Sequence, residues 1–176
     1  MIQNYRREFL YAFTIALGLP ISYHFSEWPV NIWCIGLFIF LFNQADKKER
    51  IEMLVVVAFA TPMELFFSEV WLIYEYQREL MPLYVPVGHW FLFDLGRRIA
   101  AKLPPGRKIA SWIVLPFIPL TILMAYSGVD TSGIFLLIIM FGFVRWGPAP
   151  MLYAVMGWLA LGMELWGTWL GTWEWT

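Results

Sequence analysis

The sequence predicts an all-α protein, a polytopic bundle of about seven membrane-spanning helices. Its 176 residues are 60% hydrophobic, 19% aromatic and only 14% charged. The mean hydropathy of the chain is +0.63. A soluble domain of this length has too little interior to bury so many apolar side chains. We therefore expect a multi-pass protein of the cell inner (plasma) membrane.

Seven apolar segments have the length and composition of transmembrane helices. The distribution of basic residues supports this number, because cytoplasmic loops are rich in Lys and Arg. With the N-terminus in the cytoplasm, all basic residues except Arg78 fall in cytoplasmic segments. All lysines lie in these loops, which excludes a retinal protein, since that class needs a lysine within a span. The predicted segments are 9–27, 28–44, 52–74, 82–97, 109–127, 130–146 and 149–172.

Residues at the ends of the segments support this order. Arg6 and Arg7 precede the first segment without a small-residue cleavage site, so we expect that span to be retained. The fourth segment has two prolines and a glycine just before His89, which predicts an irregular helix start beside a buried or wet cavity. The loop at 100–108 combines proline, glycine and positive charge, which is typical of a junction between two halves.

A short phrase occurs twice and predicts an internal duplication. Met-Glu-Leu at 63–65 is followed by Tyr-Glu-Tyr at 74–76, and Met-Glu-Leu at 163–165 is followed by Trp-Glu-Trp at 173–175. The first three spans then correspond to the last three, an offset of four helices that makes the repeats parallel. The predicted organisation is a single membrane domain of residues 1–176, with repeat A at 9–76, an extra helix at 82–97 and repeat B at 109–175.

Polar residues within these apolar segments are candidate site residues, because a charge inside a bilayer is costly. A rise of 1.5 Å per residue places Glu64, Glu164 and His89 in one layer, slightly outside the bilayer midplane. A hydroxyl lies one turn outward of each glutamate, and aromatic residues near the outer interface are suited to stabilise a cation. The candidate catalytic residues are Glu64, Glu164 and His89, and the candidate substrate-binding residues are Ser68, Thr168, Trp71, Trp169 and Tyr74.

Simpler structural roles remain open for the same residues. A buried glutamate often serves only to join helices through hydrogen bonds, and the aromatic residues fit an interfacial belt. Two carboxylates and a histidine can also bind a metal, although no metal-binding spacing of His or Cys occurs and we expect neither a metal nor another cofactor. No nucleophilic serine motif is present. General acid and base catalysis by buried carboxyl groups is the chemistry that the residues favour.

The two phrases resemble those of the small integral-membrane carotenoid (lycopene) cyclases and carotenoid hydratases. The resemblance rests on Thr-Pro-Met-Glu at 61–64, Leu-Gly-Met-Glu at 161–164 and the aromatic triplets at 74–76 and 173–175. It implies a protein that protonates a polyene without a redox cofactor. Cyclases of this group usually carry two adjacent carboxylates after the proline, whereas leucines follow both glutamates here.

Two classes of function therefore compete. In the first, the protein binds an isoprenoid or carotenoid-like lipid in a polar pocket in the outer half of the membrane and cyclises or hydrates it by acid and base catalysis. In the second, it is a non-catalytic accessory subunit of a larger membrane complex and binds lipid or pigment. We expect membrane lipid and membrane protein partners, and no nucleic acid. A small transporter is disfavoured, because parallel repeats alone do not provide alternating access.

Overall fold

The computed structural model describes residues 6–78, 80–127 and 133–175. Helices dominate this part of the chain, which confirms the predicted helical class. A five-residue π-helical turn, Phe66–Val70, continues the third helix. The helices are α1 Arg6–His24, α2 Glu27–Gln44, α3 Lys47–Leu65, α4 Tyr84–Lys102, α5 Arg107–Val114, α6 Phe117–Tyr126, α7 Gly133–Trp146 and α8 Pro150–Leu170, and the strands are β1 Tyr74–Tyr76 and β2 Trp173–Trp175.

Each predicted apolar segment coincides with a helical segment, with two qualifications. The fifth segment is broken into α5 and α6 at Leu115 and Pro116, since a proline cannot donate a backbone hydrogen bond. The sixth segment was predicted to begin at residue 130, and residues 130–132 lie outside the described part of the chain. The strands were not predicted; they form one antiparallel ribbon.

Two helical segments of the described residues are both long and apolar enough to cross a membrane: 47–70 and 107–126. Helix α7 is apolar but has only 14 residues. In the most apolar 18-residue stretch of each long segment, only 17% and 22% of the residues, respectively, are buried. Their apolar side chains thus face outward, as expected for contact with lipid or another apolar partner.

The chain divides into two compact units, residues 1–95 with 162–176 and residues 96–161. The second unit has its own apolar core. The indole of Trp158 donates to the carbonyl of Ile113 at 2.8 Å, close to the break between α5 and α6. This bond satisfies a carbonyl near the break. The buried residues of this core are Ala110, Val114, Phe117, Val144, Met151, Ala154 and Val155.

The first unit contains the candidate site, and buried contacts fix the helix that carries His89. Tyr11 stacks on Phe91 with ring centroids 5.3 Å apart, and both side chains are fully buried. The side-chain oxygen of the buried Asn31 accepts a hydrogen bond from the backbone N–H of Tyr84 at 2.8 Å. The first N–H groups of a helix have no partner within the helix and need one from outside it. Asn31, on α2, therefore ties the first residue of the helix that carries His89 to α2.

The β ribbon joins the two aromatic triplets of the repeated phrase. Tyr74 lies opposite Trp175, Glu75 opposite Glu174, and Tyr76 opposite Trp173. The sequence did not predict this pairing, because it links residues about a hundred positions apart. The ribbon brings the aromatic residues of both copies next to the ends of the helices that carry Glu64 and Glu164.

The two phrase-bearing helices end in different ways before they reach the ribbon. Helix α8 ends just before Gly171, whose φ is +76°, and the N–H of Thr172 donates to the carbonyl of Gly167 at 2.9 Å. This is the usual glycine stop of a helix. At the corresponding turn after α3, Leu72 has a φ of +53°, which is costly for a bulky residue.

The segment between Glu64 and β1 is one residue longer than the segment between Glu164 and β2. The π-helical turn lies within this interval, and the N–H of Trp71 donates to the carbonyl of Phe66, five residues back, at 2.7 Å. A π-helical turn holds one more residue than an α-helical turn. It therefore accommodates the additional residue and lets both strands meet in register.

Candidate acid–base site

A cavity of about 80 Å³ lies in the unit formed by residues 1–95 and 162–176. Glu64, His89 and Glu164 all line it, from the ends of α3 and α8 and the start of α4. Apolar side chains such as Leu19 and Val30 complete much of the wall. The structure thus brings together the three residues that the sequence placed in one layer.

Glu64 is held by side chains on both of its oxygens. The hydroxyl of Tyr76 donates to Oε2 at 2.7 Å, and the hydroxyl of Tyr74 donates to the same oxygen. Nε2 of His89 lies 3.1 Å from Oε1. A carboxylate with three such partners is fixed in position, since each hydrogen bond to a charged group is stronger than a neutral one.

The contacts of His89 determine where its protons are. Nδ1 lies 2.9 Å from the backbone carbonyl of Val85, which can only accept, so Nδ1 carries a proton. The contact between Nε2 and Glu64 then requires one further proton, located either on the imidazole or on the carboxyl group. Glu64 and His89 therefore share one proton, and the pair is neutral in both arrangements.

Tyr76 remains a hydrogen-bond donor to this pair. Burial, together with the charge of Glu64, raises the pKa of Tyr76 above its ordinary value. Its phenol is therefore protonated at physiological pH. Tyr76 is 6% exposed, so water does not compete effectively for the carboxylate that it holds.

Glu164 has a much simpler environment than Glu64. The indole N–H of Trp173 donates to Oε2 at 3.0 Å. Among the residues that the structure describes, no basic side chain lies within ion-pair distance of Glu164. The Trp173 ring packs directly against Gly167, where a Cβ would lie 2.1 Å from ring carbons. Gly167 thus makes room for the ring that contacts Glu164.

The other predicted substrate-binding residues are distributed differently. Tyr74 lines the cavity and contacts Glu64. Ser68 is buried, but its hydroxyl donates to the backbone carbonyl of Glu64 at 2.9 Å rather than facing the cavity. Thr168 accepts from the indole of Trp175 at 3.2 Å. Trp71 and Trp169 are 62% and 74% exposed, and neither they nor Ser68 and Thr168 line the cavity.

Two residues with direct contacts to the glutamates, Tyr76 and Trp173, were not among the candidate site residues. Both belong to the aromatic triplets that follow the repeated Met-Glu-Leu phrase, so the signal was present in the sequence. Their position near the predicted membrane surface favoured an interfacial role. The ribbon instead turns both side chains inward, where they are 6% exposed.

The described residues contain no group of three or more His, Cys, Asp or Glu side chains arranged to hold a metal ion. The arrangement that is present suits proton transfer: Glu164, a carboxyl group with no ion-pair partner among these residues, lines the same cavity as the carboxyl and imidazole pair of Glu64 and His89. The chain matches no protein family model, no curated protein and no solved structure.

Proposed function

We propose that the protein is a multi-pass membrane protein with seven helical spans and a cytoplasmic N-terminus. Two apolar segments of spanning length and the outward-facing apolar side chains support membrane association. The segregation of the basic residues to alternate loops supports the orientation. Of the seven proposed spans, α7 is the shortest. It directly follows residues 128–132 in the sequence, which lie outside the described part of the chain.

For the cavity, we propose acid and base chemistry on the carbon–carbon double bond of an isoprenoid or carotenoid-like lipid. The observation that carries this proposal is the 3.1 Å contact between Glu64 and His89 in a cavity that Glu164 also lines. Proton transfer between carboxyl groups and a polyene needs no redox partner. It also agrees with the resemblance to carotenoid cyclases and hydratases.

The reaction starts with proton donation by Glu164. A carboxyl group in a largely apolar cavity, with no ion-pair partner of its own in the described part of the chain, is most stable as the neutral acid. Its proton adds to one carbon of the double bond, the π electrons form the new C–H bond, and the other carbon becomes a tertiary cation. Glu164 is then a carboxylate. The rings of Tyr74 and Trp173, which line the cavity, stabilise the cation.

The second step removes a proton and restores neutrality. With the shared proton on His89, Glu64 is a carboxylate and can act as the base. In a cyclisation, a neighbouring double bond attacks the cation, the positive charge moves to the far carbon of that bond, and Glu64 takes a proton from a carbon next to it. In a hydration, water attacks the cation and Glu64 takes a proton from the added water. Glu164 has lost one proton to the substrate and Glu64 has gained another, so proton transfer from Glu64 to Glu164 regenerates the starting state.

The size of the cavity limits which part of the substrate reacts. A volume of about 80 Å³ is well below that of pockets that enclose a whole small molecule. Only a chain end fits, with the remainder of the lipid outside the cavity. A terminal isoprene unit is therefore the favoured reacting group.

The test is deuterium incorporation from heavy water into an acyclic carotenoid, with the full-length protein in liposomes. We expect Glu64→Gln and Glu164→Gln each to reduce incorporation by at least about a hundredfold, since each removes a proton-transfer group. Glu75→Gln is the matched control, because Glu75 lies exposed in the ribbon outside the cavity. Unchanged incorporation in both cavity variants would disprove the proposed chemistry.

A second candidate function is that of an accessory subunit in a membrane complex. The observation that favours it is the exposure of Trp71 and Trp169, which lie outside the cavity and offer flat apolar surface to a partner. Gentle purification followed by mass spectrometry of all retained chains and lipids distinguishes the two. A fixed set of partner chains supports the accessory role, whereas a retained isoprenoid supports the enzyme.

A further inference from the structure

A second depression, separate from the cavity, lies within the unit of residues 96–161. It is an open groove of about 520 Å³, formed by α5 and α6 on one side and α7 on the other. Apolar side chains line most of it, and Arg145 lies at one end, with Ser111 on the α5 side. The apolar lining includes Ile118, Leu137, Ile138 and Phe141.

The sequence of this unit is rich in basic residues, and one of them, Arg145, lines the groove. The sequence from 96 to 161 contains one acidic residue, Asp130, which lies outside the described residues. Its basic residues are at 97–108 and 145. Arg107, at the start of α5, donates to the carbonyl of Gly147 at 3.0 Å, which places the start of α5 beside the end of α7.

Two exposed cations are available to a ligand at this end. Arg145 is exposed, and Lys108 is exposed and lies three residues before Ser111. Residues three apart share one face of a helix, so Lys108 lies on the same face of α5 as Ser111, which lines the groove. A guanidinium group presents a fork of N–H donors that matches the oxygens of a phosphate.

We propose that this groove binds one anionic phospholipid, with the phosphate at Arg145 and Lys108 and an acyl chain along the apolar lining. The basic end and the apolar remainder match the two parts of such a lipid, and basic pockets between membrane helices on the cytoplasmic side are suited to anionic headgroups. The proposal rests on the membrane location proposed above and is independent of the acid–base chemistry.

The test is native mass spectrometry of the full-length protein in a neutral detergent. The protein is titrated with phosphatidylglycerol and, separately, with phosphatidylcholine of the same acyl chains. We expect one phosphatidylglycerol to bind and the neutral lipid to bind more weakly. Arg145→Gln is expected to weaken phosphatidylglycerol binding about fivefold, because each basic residue near an anionic headgroup contributes on this scale.

Lys48→Gln is the matched control, since Lys48 is an exposed cation in the other unit; we expect no change. Gly142→Leu tests the apolar part, because Gly142 lines the groove and a larger side chain fills it; we expect weaker binding of both lipids. A Glu64→Gln/Glu164→Gln variant keeps the lipid, which separates this proposal from the acid–base chemistry.

Three results would overturn the proposal. Equal binding of the two lipids would remove the role of the headgroup charge. Unchanged binding in Arg145→Gln would remove the role of that residue. Full displacement of the lipid by inorganic phosphate at millimolar concentration would mean that the groove recognises a free anion and not a phospholipid.

Discussion

The two glutamates of the repeated phrase occupy similar positions on α3 and α8, but they differ in what surrounds them. Glu64 accepts from two tyrosines and shares a proton with His89, whereas Glu164 accepts from one indole. The difference arises from the aromatic triplets and from α4, which provides His89 next to Glu64. One phrase therefore yields a fixed, paired carboxylate in one copy and a largely unpaired carboxyl group in the other.

The largest expected effect is the difference in unfolding free energy between variants that lack Glu64 and variants that lack Glu164. Glu64→Ala leaves His89, Tyr74 and Tyr76 without their common partner, and we expect a loss of about 3–5 kcal/mol of unfolding free energy. Glu164→Ala leaves only one indole unsatisfied, with an expected loss of about 1–3 kcal/mol. Denaturant unfolding in mild detergent measures both values. Equal losses would mean that the contacts of Glu64 do not distinguish the two carboxyl groups.

The next effect tests the close packing of Trp173 against Gly167. Gly167→Ala places a methyl group 2.1 Å from carbons of the Trp173 ring, and we expect overpacking to lower the unfolding free energy by about 1–3 kcal/mol. Gly162→Ala is the matched control on the same helix, because nothing lies within 4 Å of a Cβ there; alanine is expected to be neutral or to stabilise the helix by up to about 1 kcal/mol. Similar stabilities of the two variants, measured by thermal unfolding, would contradict the close packing.

A smaller effect tests the tyrosine contacts of Glu64. Tyr76→Phe removes one of three hydrogen bonds, and we expect a loss of about 1 kcal/mol. A double-mutant cycle with Glu64→Ala isolates the contact, since the loss should disappear when the carboxylate is absent. In the Glu164→Ala background the full loss should remain. Persistence of the loss in the Glu64→Ala background would assign it to the tyrosine ring alone.

The smallest effect compares the turns that lead into the two strands. Leu72→Gly relieves a left-handed conformation and, with Leu72 half exposed, is expected to stabilise the protein by about 0.5–1 kcal/mol. Gly171→Ala introduces the same strain and is expected to destabilise it by about 1 kcal/mol. Thermal unfolding of both variants provides the comparison. A destabilised Leu72→Gly variant would show that the leucine side chain is required at this turn.

The sequence was most informative where one property decides the structure. Apolar runs bounded by charges such as Lys47 and Arg107 predicted the helices, because helix formation in a long apolar segment depends on the local composition. The rise per residue placed Glu64, His89 and Glu164 in one layer, and the structure brings them to one cavity. The functional roles of these residues and the internal duplication remain predictions.

Other features depend on contacts that a local pattern does not encode. The strands have three residues each, too short for a periodic signal, and each forms only by pairing with the other. The hydroxyl groups of Ser68 and Thr168 have the predicted helical spacing from the glutamates, yet nearby backbone and indole groups engage them. Spacing along a helix gives the shared face, whereas competing hydrogen-bond partners determine what a side chain contacts.

The pairing of β1 with β2 has a consequence for the order of events during synthesis. About a hundred residues separate the strands, and at about 5–20 residues per second a ribosome needs about 5–20 s to make them. Throughout that time the nascent chain carries Glu64, Tyr74 and Tyr76 without the opposing strand. We therefore expect the cavity to be completed only after β2 has been made, when Trp173 closes the side that faces Glu164.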